Sequence, residues 1–345
     1  MGNRTVNEYQ VLVIGPRRGL VDVLRARQIR FSVWQEKPSS GWKDADQRVT
    51  APFWKSPERI RQTVRKEFAA TPCTHIIAGT ESATYPAAIA RRQLGARCSE
   101  TTTALRCRDK LAMKEYLSDF GIPMTKFLAE SSATDAARVF ESLGHPVVRK
   151  NRKSSGGKTL QIIERETDLV LQQGNRNILE KFVAAPEASI ESFINNGNIE
   201  FTNITAYHEK GFTNFVPAAF DTTLTNAIQD LNRLVIEALK IRWGMTHLEV
   251  YLTQKGLLFG EIAVRPPGGR KTVGGGIGRV KIIDRADARS TRPAGSLCRS
   301  GCLTPPSDRS GHPKYFVVPI GSQHPGRPAR HDPGGPGATS HQPRA

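Results

Sequence analysis

The sequence predicts an α/β protein that opens with a doubly wound region and continues into a mixed region of strands and helices. An apolar stretch from Tyr9 to Gly15 ends in glycine and is followed by a helix and a second strand. A strand, a glycine loop and a returning strand follow over residues 147–163. A β-hairpin spans Thr246 to Arg265. The first feature is the β-turn-α-β opening of a doubly wound sheet, and the other two indicate antiparallel strands.

The N-terminal elements follow in the order expected of a doubly wound sheet. The patterns predict strands at Tyr9–Gly15, Phe31–Gln35 and His75–Ala78, and helices at Leu20–Arg27 and Pro86–Leu94. Gly79, Thr80 and Glu81 stand at the carboxyl end of the third strand, where open α/β sheets bind ligands. Gly15, Arg17 and Gly19 do not complete a dinucleotide fingerprint, so we interpret Gly15 as a tight-turn residue.

The middle of the chain contains a glycine loop between two strands. Asp109 precedes a predicted amphipathic helix that stops near Gly121, and a second helix near residues 134–143 ends at Gly144. The strand from Val147 to Lys150 then leads into SSGGKT, residues 154–159, and a returning strand. Such a loop offers backbone N–H groups that can close over phosphates. It lacks the spacing of a P-loop.

The hairpin is the most informative stretch for function. Leu248, Val250 and Leu252 alternate with His247, Glu249 and Tyr251, and a predicted five-residue turn sets Glu249 opposite Glu261. Opposed residues have Cβ atoms roughly 5 Å apart, so two ionised carboxylates there need a cation between them. Oxygen-only ligation suits Mg²⁺. Arg265 is predicted on the same side, as a fixed positive fork for phosphate.

Composition excludes several classes of protein. The 345 residues are 38% hydrophobic, and no apolar run approaches the ~20 residues of a membrane helix. The polar start MGNRTVNEYQ is not a secretory signal, so we expect a cytoplasmic protein. The five cysteines are scattered, which indicates reduced thiols and neither a disulfide framework nor a zinc site. The sequence does not predict an oligomeric state.

Positive charge is concentrated at the C-terminal end. Residues 270–345 contribute +9 of the net charge of +18 and include 12 Gly and 10 Pro. We predict that this tail is disordered. Clustered arginines can bind nucleic acid without specificity, but the tail has only Tyr315 and Phe316 for stacking. Nucleic-acid binding therefore ranks last among the hypotheses.

The order of these motifs, from about Leu12 to Gly269, resembles the ATP-grasp superfamily, in particular biotin carboxylase and the carboxylate–amine ligases. The motifs are a lysine at a helix start, a strand lysine, SSGGKT, EKF with a second Glu seven residues on, and two carboxylates before VRPPGG. The resemblance implies a pre-ATP-grasp α/β domain over 1–105, a lid-bearing subdomain over 106–178, a catalytic core subdomain over 179–269 and a basic tail over 270–345.

The resemblance also implies a role for each matching residue. Such enzymes use ATP and Mg²⁺, with Mn²⁺ as an alternative, to activate a carboxylate as an acyl phosphate that an amine, a thiol or another nucleophile then opens. Lys110 and Lys150 would hold ATP phosphates, Glu180, Lys181 and Phe182 the adenine, and Glu187 the ribose. Ser155, Gly156 and Gly157 would cover the γ-phosphate, Glu249 and Glu261 would bind the metal, and Arg265 would face the transferring phosphoryl group. Glu81 would lie on the substrate side.

Each residue also has a plain structural explanation. Lys110 can be a solvated helix residue, and Lys150 can be a lysine at a strand edge. Glu180 can form a surface ion pair with Lys181, and Glu187 can be a turn residue. Glu249 and Glu261 can face solvent on an exposed sheet. Glu81 can cap the following helix. The hairpin favours function over these alternatives most clearly.

Two departures from the family pattern open an alternative. Ala263 stands where the family has a metal-binding Asn, and the sequence after RPPGG turns rich in glycine and arginine, as a frame-shifted or replaced end would. The leading hypothesis is an ATP- and Mg²⁺-dependent ligase that joins a carboxylic acid to an amine, with amino-acid-like substrates. The alternative is an ATP-binding protein of the same fold without turnover.

Overall fold

The structure is a computed structural model that describes residues 9–71, 73–156, 159–172, 174–209 and 213–267 and the backbone of 317–319. Its strands are β1 (Gln10–Ile14), β2 (Arg30–Gln35), β3 (Arg48–Thr50), β4 (His75–Ala78), β5 (Phe127–Ala129), β6 (Val147–Asn151), β7 (Gln161–Ile163), β8 (Asn177–Lys181), β9 (Glu187–Asn195), β10 (Asn198–Glu209), β11 (Thr213–Phe215), β12 (Trp243–Thr253), β13 (Gly256–Ala263) and β14 (Val317–Pro319). Its α-helices are α1 (Arg18–Ala26), α2 (Pro57–Phe68), α3 (Thr84–Gln93), α4 (Thr101–Arg108), α5 (Lys110–Ser118), α6 (Ala136–Leu143) and α7 (Thr222–Ala238).

The N-terminal region is a parallel sheet covered on both faces. Its strand order is β3-β2-β1-β4, with parallel pairing throughout. Leu12 and Ile14 of the central strand pack into one apolar cluster, and Val11 and Val13 pack into another on the opposite face. Alternate residues of a strand point to opposite faces, so both faces are buried. This confirms the predicted doubly wound α/β opening.

The rest of the described chain is built on two antiparallel sheets. One has the order β5-β8-β6-β7 and packs against α6 through Val139, Phe140 and Leu143. The other has the order β13-β12-β9-β10-β11-β14 and packs one face against α7 through Ile228, Leu231 and Val235. The predicted glycine-loop hairpin is the pair β6–β7, and the predicted metal hairpin is the pair β12–β13.

Several elements escaped the sequence prediction. The patterns gave no strand at β10, although it extends over Asn198–Glu209, and none of α2, α4, β3 or β5. Asn203, Thr205 and Tyr207 of β10 contact a polar network described below, and a register shift interrupts the strand between Ile199 and Phe201. The strand therefore lacks the regular apolar alternation by which strands are recognised. Helix α5 starts where predicted, since the side chain of Asp109 accepts a hydrogen bond from the Ala112 amide at its N-terminus.

Gly15 and Gly79 bring two loops of the parallel sheet into close contact. Gly15 has φ of +69°, and a Cβ there would lie 2.4 Å from Thr80 Oγ1. A Cβ on Gly79 would lie 2.2 Å from the Gly15 carbonyl oxygen. A side chain at Gly15 would be strained by the positive φ and would clash with Thr80, and one at Gly79 would clash with backbone, so both positions favour glycine. The contact supports the structural interpretation of Gly15.

The predicted disordered tail lies outside the described residues, apart from β14, whose backbone pairs with β11. Among the described helices, none is long and apolar enough to cross a bilayer.

Cys73, Cys98 and Cys107 are free thiols, as predicted for them. The domain boundaries at 105, 178 and 269 stay a prediction.

Candidate active site

The β12–β13 hairpin carries the two acidic residues predicted to hold a metal ion. Glu249 pairs directly with Glu261, which confirms the predicted pairing. The predicted five-residue turn is wrong, because Thr253 pairs with Gly256 and only two residues lie between them. The register shifts beyond Glu249, where Gly260 is the extra residue of a β-bulge. The bulge, together with the short turn, sets the two carboxylates opposite each other.

Burial fixes which way the hairpin faces. Leu248 and Val250 are buried in the apolar cluster that includes α7. Strand periodicity therefore turns His247, Glu249 and Tyr251 to the opposite face of the sheet. A Cβ on Gly260 would lie 3.0 Å from the Glu249 carbonyl oxygen, so a larger residue at the bulge would crowd the backbone of the paired strand.

Lys110 connects the hairpin to the glycine loop. Its Nζ atom donates a 2.7 Å hydrogen bond to the Ser154 carbonyl and lies 3.3 Å from Glu261 Oε2. The Lys110 amide also donates to the Arg152 carbonyl at 3.0 Å. Only 14% of the lysine side chain is exposed, against 36% of Glu261. Lys110 is thus a partly enclosed ion-pair residue and not a solvated one.

Glu180 lies between two lysines in a buried cluster. Its Oε2 atom is 2.8 Å from Lys150 Nζ, and its Oε1 atom is 3.4 Å from Lys114 Nζ. Glu180 and Lys114 are almost fully buried, with 2% and 1% of their surface exposed. Burial opposes the charged form of Glu180, but the two lysines outweigh it and lower the pKa.

The two lysines of this cluster respond in opposite ways. Burial lowers the pKa of Lys114 despite the attraction of Glu180. Burial also disfavours the charge on Lys150, but Glu180, with further contributions from Tyr251 and Glu261, raises its pKa above the ordinary range. The positive charge of Lys150 is therefore stabilised mainly by Glu180 and to a smaller extent by Glu261.

At the end of β8, which is predicted to hold adenine, the backbone amides donate hydrogen bonds to carbonyls of the same chain. The amides of Lys181 and Phe182 donate to the carbonyls of Lys126 and Pro146 at 2.9 and 3.1 Å. The Glu180 carboxylate faces lysines, which rules out the alternative of a surface pair with Lys181. The Glu180 carboxylate is the counter-ion of Lys114 and Lys150, and the adenine role of Glu180, Lys181 and Phe182 stays a prediction. Glu187 is the first residue of β9. It pairs with Tyr251 of β12, the strand that also carries Glu249.

The glycine loop, residues 154–159, contacts Lys110 through the Ser154 carbonyl. Ser155 and Gly156 are exposed, and Gly156 has φ of +70°. Ser154 anchors the base of the loop, because its hydroxyl donates to the Asn151 carbonyl at 3.0 Å. Gly157 lies outside the described residues. The position of the loop agrees with the predicted lid, whose contact with a phosphate stays a prediction.

Arg265 joins the hairpin to the N-terminal region. Its Nε atom donates to the Glu81 carboxylate, and its Nη1 atom donates to the Pro266 carbonyl at 2.8 Å. Arg108 Nη1 lies 3.8 Å from the same Glu81. Arg17 donates to the Pro267 carbonyl at 2.9 Å, and its own burial, followed by the charge of Arg265, lowers its pKa. Arg108 and Arg265, from two separate segments, therefore contact one carboxylate, whereas Arg17 contacts the chain just beyond Arg265. The Glu81 side chain does not cap the following helix.

Sequence reasoning missed several residues of the site. Lys114 follows Lys110 by one helical turn, a spacing that puts both on one face of α5. His247 precedes Glu249 by two, and that period puts both on one face of β12. Both signals were present in the sequence. No local pattern encodes the contacts of the remaining residues, because each joins positions more than 25 residues apart; these residues are Arg17, Arg108, Glu191 and Tyr207.

The donors at the hairpin fit a magnesium ion. Within the described ranges no group of three or more His, Cys, Asp and Glu side chains forms a metal site. Glu249 and Glu261 are a pair of oxygen donors, and Mg²⁺ is commonly held by one or two carboxylates together with substrate phosphates. Ala263 pairs with His247 on β12, so a methyl group occupies the place of a third oxygen donor.

Comparison with known proteins identifies the domain. The family profile described as ATP-grasp domain matches residues 115–273. Over these residues the chain is similar to the ATP-grasp domain. Its fold agrees with that of an L-amino acid ligase from Bacillus licheniformis, with a TM-score of 0.65 and 19% identity over 76% of this chain and 68% of that one. It also agrees with a carboxyaminoimidazole ribonucleotide synthase from Aspergillus clavatus complexed with ATP, with a TM-score of 0.64 and 19% identity over 76% and 71%.

A curated relative is closer in sequence. The L-arginine-specific L-amino acid ligase of Bacillus subtilis is 31% identical over 218 residues, which are 57% of this chain and 52% of that protein. The chain thus spans about half the length of this relative. The ATP-grasp fold, with its parallel N-terminal sheet and two antiparallel sheets, is the fold predicted from the sequence.

Proposed function

We propose that this protein is an ATP- and Mg²⁺-dependent ligase that joins a carboxylic acid to an amine through an acyl phosphate. The observation that carries the proposal is the pairing of Glu249 with Glu261 beside Lys110, which itself contacts the glycine loop. This arrangement gathers two metal-type carboxylates and a cation for phosphate at one place. Phosphoryl transfer needs such positioning and charge neutralisation more than a protein nucleophile.

The residues divide the work between ATP and the acid. Glu249 and Glu261 would hold Mg²⁺, which neutralises phosphate charge when bound. Lys110 and Lys150 would bind phosphate oxygens by exchanging part of their contact with the carboxylates. An oxygen of the acid attacks the γ-phosphorus, the bond to the bridging oxygen breaks, and ADP leaves. Arg265, which follows Glu261 by four residues, would neutralise the charge of the transferring group.

The second half-reaction would use the N-terminal region. The amine attacks the acyl carbon, phosphate leaves, and the amine gives up a proton. Glu81, with Arg265 and Arg108 around it, offers a carboxylate for an ammonium group and guanidinium groups for a carboxylate. A zwitterionic amino acid matches both charges. The similarity to a ligase named for L-amino acids supports the same substrate class, and a thiol or another nucleophile remains the alternative acceptor.

The test begins with binding. We expect millimolar ATP to raise the melting temperature of the full chain when Mg²⁺ is present, and Glu261→Gln to weaken that shift. Absence of any shift would remove ATP binding from consideration. Release of ADP and phosphate in a mixture of amino acids, with mass spectrometry of the products, then tests ligation. A reaction without amino acids and ATP gives the background level of ADP, phosphate and product.

Ala263 favours a second candidate function. Without a third oxygen donor at this position, the protein can be an ATP-binding member of the fold that does not turn over. A magnesium-dependent thermal shift without ADP release in any amino-acid mixture would support this candidate over the ligase.

A further inference from the structure

A polar network extends from Glu249 across three neighbouring strands. Strand β9 carries Glu191, and its neighbours β10 and β12 carry Thr205 and His247. His247 pairs with Glu191 in the register of β12 and β9. All three residues are less than 9% exposed, so the network is closed to bulk water at these points. It lies on the face opposite to the apolar core.

His247 lies between two carboxylates. Its Nδ1 atom is 2.9 Å from Glu191 Oε1, and its Nε2 atom is 3.2 Å from Glu249 Oε1. A ring with a carboxylate at each nitrogen is fixed in rotation as well as in place. The phenolic hydroxyl of Tyr207 donates to the same Oε1 atom of Glu249 at 3.4 Å. Both contacts are to Oε1, so together they set the direction in which Oε2 points relative to Glu261.

Glu191 is itself held from several sides. Its Oε1 atom also accepts a hydrogen bond from the Ser189 hydroxyl at 2.8 Å. Its Oε2 atom accepts from Thr205 Oγ1 at 3.0 Å and from Asn203 Nδ2 at 3.1 Å. Donors on both oxygens leave the carboxylate little freedom to turn. Glu191 is therefore a rigid anchor for His247.

We propose that His247, anchored by Glu191, is a positioning residue that orients the Glu249 carboxylate for metal binding. Outer partners of metal ligands generally fix ligand orientation, and their loss typically weakens metal affinity by about 10–100-fold. The proposal rests on the proposed function, because it assumes that Glu249 binds the metal of a metal–nucleotide complex. It adds that an interior strand, and not the hairpin alone, determines the geometry of that ligand.

The test measures metal binding directly. Free Mn²⁺ is followed by electron paramagnetic resonance while the full chain, with a non-hydrolysable ATP analogue, is titrated with the metal. His247→Gln is expected to raise the half-saturating Mn²⁺ concentration by about 10–100-fold. Nucleotide affinity measured in chelator is expected to stay within about threefold, since no nucleotide contact is removed. The exposed His145, which contacts the Glu164 carbonyl, gives the matched control His145→Gln, with unchanged Mn²⁺ binding.

A double-variant cycle separates positioning from general loosening of the fold. His247→Gln is expected to have no further effect on Mn²⁺ binding in a Glu249→Gln background, but to keep its effect in a Glu261→Gln background. Equal effects in the two backgrounds would overturn the proposal. Glu191→Gln keeps the shape of the side chain and is expected to reproduce the His247→Gln result, so it serves if the histidine variant does not fold.

The outcome for the wild-type protein separates the two proposals. If wild-type protein binds no Mn²⁺ with the nucleotide analogue, the proposed function fails. If it binds the metal, and both His247→Gln and Glu191→Gln bind it equally well, only the positioning role fails.

Discussion

Two lysine–glutamate clusters lie a short distance apart in this protein and differ mainly in burial. In one, Glu180 lies between Lys114 and Lys150, with 3% of its side chain exposed. In the other, Lys110 faces Glu261, and 36% of the glutamate side chain is exposed. A buried pair is costly to break because it leaves an uncompensated charge away from water, whereas water can replace either partner of an exposed pair.

The difference in burial indicates that the two lysine–glutamate clusters have different roles. The Glu180 cluster connects α5 to the middle of the β5-β8-β6-β7 sheet, so it organises the framework. The Lys110–Glu261 pair lies at the junction of the glycine loop and the hairpin, where a ligand can exchange with one partner. In the proposed metal–nucleotide site, the ligand would therefore exchange with the exposed pair, while the buried Glu180 holds Lys150, the second proposed phosphate-binding lysine, in place.

The largest expected effect comes from breaking the buried cluster. Glu180→Gln leaves Lys114 and Lys150 without their shared counter-ion, and we expect the free energy of unfolding to fall by about 3–5 kcal/mol. The matched Glu261→Gln change removes the same charge at the exposed pair and is expected to cost less than about 1 kcal/mol. Urea unfolding of both variants measures the difference. Similar losses in the two variants would contradict the division between framework and site.

The pH dependence of stability sharpens the same comparison. Lys114 and Lys150 hold the pKa of Glu180 below its ordinary value despite burial. A carboxylate with a lowered folded-state pKa contributes stability that is fully present above the unfolded-state value of about 4.3 and is lost as the pH falls through the folded-state pKa. Wild-type protein should therefore lose stability below about pH 4.3 more steeply than Glu180→Gln. Parallel unfolding curves for the two proteins over that range would show that Glu180 does not contribute.

The sequence indicated the fold and the proposed ligands better than the contacts between them. Glu249 and Glu261 were recognisable because strand period and hairpin pairing are local, although the compensating bulge at Gly260 was not foreseen. Lys114 was overlooked because a lysine in an amphipathic helix is ordinarily solvated, and its burial follows from Glu180 on a distant strand. The hydrogen bond of Arg265 to Glu81 joins residues 184 positions apart. Such pairings depend on how the sheets pack, which periodicity alone does not specify.

The smallest expected effect comes from adding the third oxygen donor that is missing beside Glu249 and Glu261. Ala263 pairs with His247 next to the carboxylates, and 8% of its surface is exposed. Ala263→Asn adds an amide oxygen on the metal-facing side, so we expect the half-saturating Mg²⁺ concentration for the ATP-dependent thermal shift to fall, by less than about tenfold. Ala263→Leu is the control, because it adds similar volume without an oxygen donor and should not improve magnesium dependence. If both variants weaken magnesium dependence equally, crowding against His247 outweighs any added ligand, and the alanine is best explained by packing. If only Ala263→Asn strengthens it, the missing donor limits metal binding in this chain, because the oxygen is the feature that separates the two variants.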